Sequence, residues 1–292
     1  MTERLVFDDE PLDGILYGTP VSEPTPADCF LPIKAHMQRI HTTLDNHNVA
    51  GLISALNAIT RNDMALHRPV CDELVHAMGI LIPSNPVPLL EKDNASLIPL
   101  LEKIWALPYS ASEYNRQNAV GNRLHRIYEH QHRYAEARAI LTNLTRLAQV
   151  KGDQDSEATC YNNKAFDYLL EERYKDAMPL FQSAEQLFFK NNDNFSAANS
   201  RANYLTCVFS LRPVRELIDY EAELIELART LSENNDWRAR KSYVLLSRIR
   251  EFLEDRQMAI DYMRHAINAS IDDNLQWTAI DQARLAELEA KP

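Results

Sequence analysis

The chain has 292 residues, of which 45% are apolar and 25% charged, a mixture ordinary for a globular protein with a core large enough to need no staples. Lysine and arginine number 31 against 42 acids, so the net charge of −11 argues against a nucleic-acid backbone as partner. No apolar run reaches the roughly 18 residues of a membrane span, and the acidic N-terminus lacks the basic start of a secretory signal, so a cytoplasmic protein without membrane contact is expected. Cys29, Cys71, Cys160 and Cys207 lie far apart and fit reduced, mostly buried thiols.

Residues 1–31 carry one arginine against seven acids and four prolines, which predicts an acidic extended or disordered arm. Within it, Phe7, Leu12, Ile15, Leu16 and Tyr17 alternate with acids. Such segments order on binding, which leaves two alternatives, an arm that packs on the helical array of its own chain or a neighbour's and guards the binding surface, and an arm that does not pack on it. Residues 32–110 form an N-terminal helical region with short helices at 33–45, 49–61, 70–82 and 94–107, the last two separated by the proline-rich link "PSNPVP". Residues 1–110 have 7 basic against 14 acidic residues, and the N-terminal helices show no clear helix-turn-helix, which speaks against DNA binding. Beyond Pro108 only Pro179, Pro213 and Pro292 remain, and apolar residues recur at helical spacing, so an all-α fold is predicted.

The helices repeat. "HRYAEARAIL" (132–141) aligns with "ERYKDAMPLF" (172–181) at an offset of 40, bringing Tyr134 onto Tyr174, Ala137 onto Ala177 and Leu141 onto Phe181. A further 40 places Leu217 there, and a further 42 places Ala259. Each of these second helices follows a first one, at 115–130, 157–171, 196–210 and 237–254. The unit is a helical hairpin of about 40 residues, used four times over 111–272, with a degenerate fifth within 32–110 and a capping helix in 273–292. In that cap Leu275, Ala279, Ile280, Ala283 and Leu288 are expected inside, and Asp281, Arg284 and Glu287 in water.

The hairpins resemble tetratricopeptide repeats. Small Ala165, Ala177 and Ala184, alternating with large Tyr168, Tyr174 and Phe181, match that family's pattern, as do Ser247, Ala259, Met263 and Ala266 in the fourth unit. The third unit departs near Pro213, and the period exceeds the usual 34, the excess being expected in longer loops between units such as 149–157 and 190–196. The resemblance implies a right-handed superhelical solenoid whose first helices line a concave groove. It places Arg123, Asn163, Asn199, Asn203 and Lys241 at groove positions. Amides there would pair with the backbone of an extended segment, and Arg or Lys would hold a carboxylate. The function implied is a non-enzymatic scaffold or adaptor for a protein or peptide segment. The alternative is a ligand- or peptide-sensing regulator whose array gates dimerisation or the N-terminal helices, which leaves a homodimer open.

No phosphate-binding, dinucleotide, zinc-protease or nucleophile-elbow motif is present, so no cofactor and no catalytic residue is expected. His125, His130 and His132 miss the i, i+4 spacing of a zinc site and read as part of a solvated basic helix end. "DQDSE" (153–157) lacks the glycine and glutamate of a calcium loop and reads as a loop with a helix N-cap. Phe188, Phe189, Tyr204 and Phe209 read as core.

Overall fold

The computed structural model describes residues 114–233, 237–270 and 275–290, with Ile98, Leu101, Glu102, Trp105 and Ala106 ahead of them. The arm of 1–31 and the helices predicted at 33–45, 49–61 and 70–82 lie outside the described residues. Of the helix predicted at 94–107, Ile98, Leu101, Glu102 and Trp105 are described, and all four are helical. The chain divides into two compact units, Met1–Asn85 and Pro86–Pro292, and every described residue belongs to the second.

Nine α-helices and no strand occur among the described residues: α1 (Tyr114–His130), α2 (Tyr134–Lys151), α3 (Gln154–Leu170), α4 (Tyr174–Lys190), α5 (Asn194–Leu211), α6 (Glu221–Ser232), α7 (Ala239–Phe252), α8 (Arg256–Ser270) and α9 (Leu275–Ala290). Each packs against its neighbours in sequence. The helices pair in sequence as the hairpins α1–α2, α3–α4, α5–α6 and α7–α8. Consecutive helices approach closely because their crossings hold small residues: Ala137, Ala165, Ala177, Ala184, Ala259 and Ala266 are fully buried. Large Phe181, Leu141 and Met263 fill the space left over.

The turns carry the periodicity. His132, Gly152, Glu172 and Asn192, spaced 20 apart, all adopt left-handed backbone with φ of 58°, 70°, 59° and 61°. After each, the next amide reaches back to close the preceding helix: Arg133 to Tyr128, Asp153 to Ala148, Arg173 to Tyr168 and Asp193 to Phe188, at 2.8–2.9 Å. Only one of these four positions is glycine. A side chain in this region costs about 1–2 kcal/mol, least for asparagine, and the closing hydrogen bonds and helix packing hold it there. These links are two or three residues long, so in the first two units the extra length lies in helices of 17–18 residues and not in the loops, where it was expected.

Two capping schemes alternate. First helices α3 and α5 open on Asp153 and Asp193, which accept from the amides of Ser156 and Ser196 at 3.0 and 2.9 Å. Second helices α2 and α4 open on Arg133 and Arg173, which donate to Glu136 and Asp176 three residues on, at 3.0 and 2.8 Å. Each arginine also lies over a tyrosine of the preceding helix, Tyr128 or Tyr168, 4.3 and 4.6 Å from the ring centroid.

The 20-residue rhythm breaks at Arg212. Pro213 follows it, and proline disfavours helical or left-handed backbone before it, so Arg212 is extended at φ −124°, ψ 151°. Two short 3-10 turns, Val214–Glu216 and Ile218–Tyr220, replace the start of the second helix, and α6 has only 12 residues. Leu217 remains fully buried between them, so the anchor expected there survives without its helix.

Two expectations about burial fail. Phe189 is 69% exposed at the end of α4, whereas Phe188 and Phe209 are core as expected and Tyr204 is half-buried. In α9 Ile280 is 50% exposed and Ala279 and Ala283 are exposed, while Asp281 is 2% exposed. The buried stripe is Asp281, Leu285 and Leu288, rotated from the expected one because Arg240 of α7 captures the Asp281 carboxylate. Arg284, expected in water, is half-buried and paired with Glu251 of α7.

Candidate functional site

The first helices face one another through polar contacts that recur along the array. Tyr114 of α1 donates to Asp153, 2.9 Å away, and Asn118 to Ser156 of α3 at 3.3 Å. Asn162 of α3 accepts from Ser200 of α5 at 3.1 Å, and Asn203 of α5 accepts from the Lys241 ammonium of α7. Arg240 of α7 makes two hydrogen bonds to Asp281 of α9, at 2.5 and 2.7 Å. These partners stand 38–41 residues apart, so each contact joins neighbouring units in the same way.

Of the five residues expected in the groove, Asn203 and Lys241 meet directly. Asn203 is almost fully buried and half-buried Lys241 lies between units, its Nζ 4.9 Å from the Phe166 ring centroid and 5.8 Å from that of Trp237. Burial pushes the Lys241 pKa down to about 7, with Arg240 and Arg238 adding to the effect and Cys207 opposing it. Arg123 is half-buried, donates to the Ala119 carbonyl of its own helix at 3.0 Å, and has its pKa lowered by burial. Asn163 and Asn199 are half-buried, and their side chains make no hydrogen bond among the described residues. No hydrogen bond joins Arg123, Asn163 or Asn199 to one another or to the Asn203–Lys241 pair.

Sequence reasoning missed several participants. Phe166 and Trp237 flank Lys241, and their signal was an aromatic residue one helical turn from a groove position. Arg201 of α5 is paired with Glu223 at 2.5 Å and stands 4.0 Å from Glu185. Asn162, and not its neighbour Asn163, carries the contact between units. His125 is 1% exposed, not part of a solvated helix end. The alignment holds the reason: His125 takes the crossing position of Ala165 and Ser247, which lies inside in every unit. Asp153 is the expected N-cap of α3.

No described helix is long and apolar enough to cross a membrane. No curated protein matches the chain. Residues 117–188, from the first turn of α1 to the last turn of α4, match the tetratricopeptide repeat family. With the same hairpin continuing through α8 and the cap α9, the described array is tetratricopeptide-repeat-like, the architecture of a general protein–protein interaction scaffold.

Proposed function

We propose that the array is a non-enzymatic scaffold that binds an extended protein or peptide segment along its first helices. Asn163 and Asn199 contact the segment's backbone, and Arg123 and the Asn203–Lys241 pair receive a carboxylate from it. The observation that carries this reading is the pair of uncommitted amides. Asn163 and Asn199 sit half-buried on α3 and α5 with no hydrogen-bond partner among the described residues, whereas neighbouring Asn162 and Asn203 are engaged. An amide placed this way offers a donor and an acceptor to any backbone, whatever its side chains. Solenoids add one such strip per repeat, which suits an extended ligand.

The test uses the full chain and a display library of short peptides carrying free C-terminal carboxylates. The wild type should enrich a subset. The double variant Asn163→Ala/Asn199→Ala should bind that subset ~10–30-fold more weakly, the value of two hydrogen bonds of about 1 kcal/mol each. Amidating the peptide C-terminus should weaken binding again through the loss of Lys241 and Arg123 contacts. Equal binding by both proteins removes the groove from the reading, and dimerisation that responds to peptide would favour a sensor instead.

A further inference from the structure

Two core positions of the array break their own repeat together. His125 stands where the other units have Ala165, Leu205 and Ser247, and Asp167 stands where they have Ile127, Cys207 and Ile249. All of these are buried, so the replacements place a histidine and a carboxylate in otherwise apolar or small-residue positions. They belong to neighbouring first helices, α1 and α3, and they face each other. His125 Nε2 lies 3.5 Å from Asp167 Oδ1 and 3.9 Å from Glu129 Oε2, one turn further along α1.

The His125 ring and the Asp167 carboxylate are unsatisfied. Both ring nitrogens of His125 and both carboxylate oxygens of Asp167 lack a hydrogen-bond partner, with the residues 1% and 0% exposed. An orphaned buried carboxylate and imidazole are rare and each calls for a ligand. The spacing is too long for a direct hydrogen bond, which would hold the atoms at about 2.7–3.0 Å. It suits two ligands of one metal: bonds of ~2.0–2.2 Å about a tetrahedral centre put their donor atoms roughly 3.3–3.6 Å apart. One donor atom from each of His125, Glu129 and Asp167 lies within 4.8 Å of the others.

We propose that His125, Glu129 and Asp167 form a binding site for a divalent transition metal ion, zinc in the first instance, that ties α1 to α3. The imidazole nitrogen selects against calcium and magnesium, which prefer all-oxygen shells. With a neutral imidazole the two carboxylates supply two negative charges to a dication. Three protein ligands leave a fourth position for water. Glu129 is the adjustable member, because its Oε2 also receives exposed Arg126 at 3.3 Å and its side chain is 14% exposed. Arg138, whose charge reaches Asp167, is held off by Glu171 at 2.6 Å and by stacking on Tyr168 at 4.3 Å.

The test is zinc binding to the full chain stripped with a chelator, read by calorimetry, by metal content after gel filtration and by melting temperature. One zinc per chain should remain, and zinc should raise the melting temperature. His125→Gln and Asp167→Asn should each weaken binding at least ~10-fold and abolish the thermal shift. Glu129→Gln, at the partly exposed rim, should weaken binding while leaving the helical content unchanged, which covers the case of a core variant that does not fold. His130→Gln, on the same helix, should bind as the wild type does. Wild type that takes up no zinc, or that gains no stability from it, overturns the proposal in favour of a water-bridged ion pair. Binding that all four variants retain overturns it in favour of other ligands, Cys29 and Cys71 among them.

Discussion

The rotated face of α9 gives the sharpest test of the structure against the sequence pattern. The apolar stripe in the sequence puts Ile280 inside and Asp281 in water, whereas the structure has Ile280 half-exposed and Asp281 joined to Arg240 by hydrogen bonds of 2.5 and 2.7 Å. The two side chains of that pair are 13% and 3% exposed. Removing one member of a buried pair costs about 3–5 kcal/mol, because the other charge stays desolvated. Arg240 has further interactions, which places Asp281→Ala near the lower end, about 3 kcal/mol. At ~2–4 °C per kcal/mol for a unit of this size, the melting temperature should fall by roughly 6–12 °C. Ile280→Ala gives up only part of an exposed side chain and gains helix propensity, so its effect stays within about 1 kcal/mol. Because an array loses terminal interfaces first, amide exchange should speed up across α9 in Asp281→Ala before it does in α1–α5. Melting curves and exchange measured on both variants decide the matter. If Ile280→Ala undocks the helix and Asp281→Ala leaves it in place, the face described here is wrong.

Ala177 is fully buried where α4 crosses its neighbours, so Ala177→Leu should overpack the site and cost about 1–3 kcal/mol, while Ala139→Leu on exposed α2 surface should stay within about 0.5 kcal/mol; calorimetric melting compares them. Lys241 gives a pH signature: its folded pKa is about 7 against about 10.4 unfolded, so between those values the unfolded chain binds more protons and stability rises with pH, flat below about 7. The slope cannot exceed about 1.4 kcal/mol per pH unit. Above about pH 10 the tyrosines Tyr114 and Tyr128, whose pKa values burial pushes to about 12, act with the opposite sign and stability falls. Lys241→Met should remove the rise, as denaturant titrations from about pH 6 to 9.5 will show.

The helices and their pairing were readable because the crossings demand small residues at fixed spacing, and alanine at 137, 177 and 259 has no other reason to recur. Turn lengths were not readable, because the turns use histidine, glutamate and asparagine where glycine would have signalled left-handed backbone. The α9 face was misread because hydropathy treats every aspartate as wet, and only the distant Arg240 makes a buried one stable. Asn203 and Lys241 were singled out as individuals, but their contact depends on two residues 38 apart that no local pattern connects. His125 was set aside on ligand spacing along one helix, whereas its facing carboxylate, Asp167, is on another.

The identical turns at His132, Glu172 and Asn192 also bear on how such a chain can change over evolutionary time. The backbone leaves each of them in the same conformation, closed by the same reach-back hydrogen bond. A block of 40 residues, cut from one left-handed position to the corresponding one, can therefore be duplicated or lost with the splice falling on matching geometry. Array length is free to drift in whole hairpins on the N-terminal side of Arg212. Arg212–Pro213 interrupts the series, and the same turn returns at Glu254, φ 60°, where the Asp255 amide reaches back to Arg250 at 2.9 Å. His125 and Asp167 restrain the same freedom from within, because each unit carries one half of the pair, and a splice that separates the two strands a buried charge.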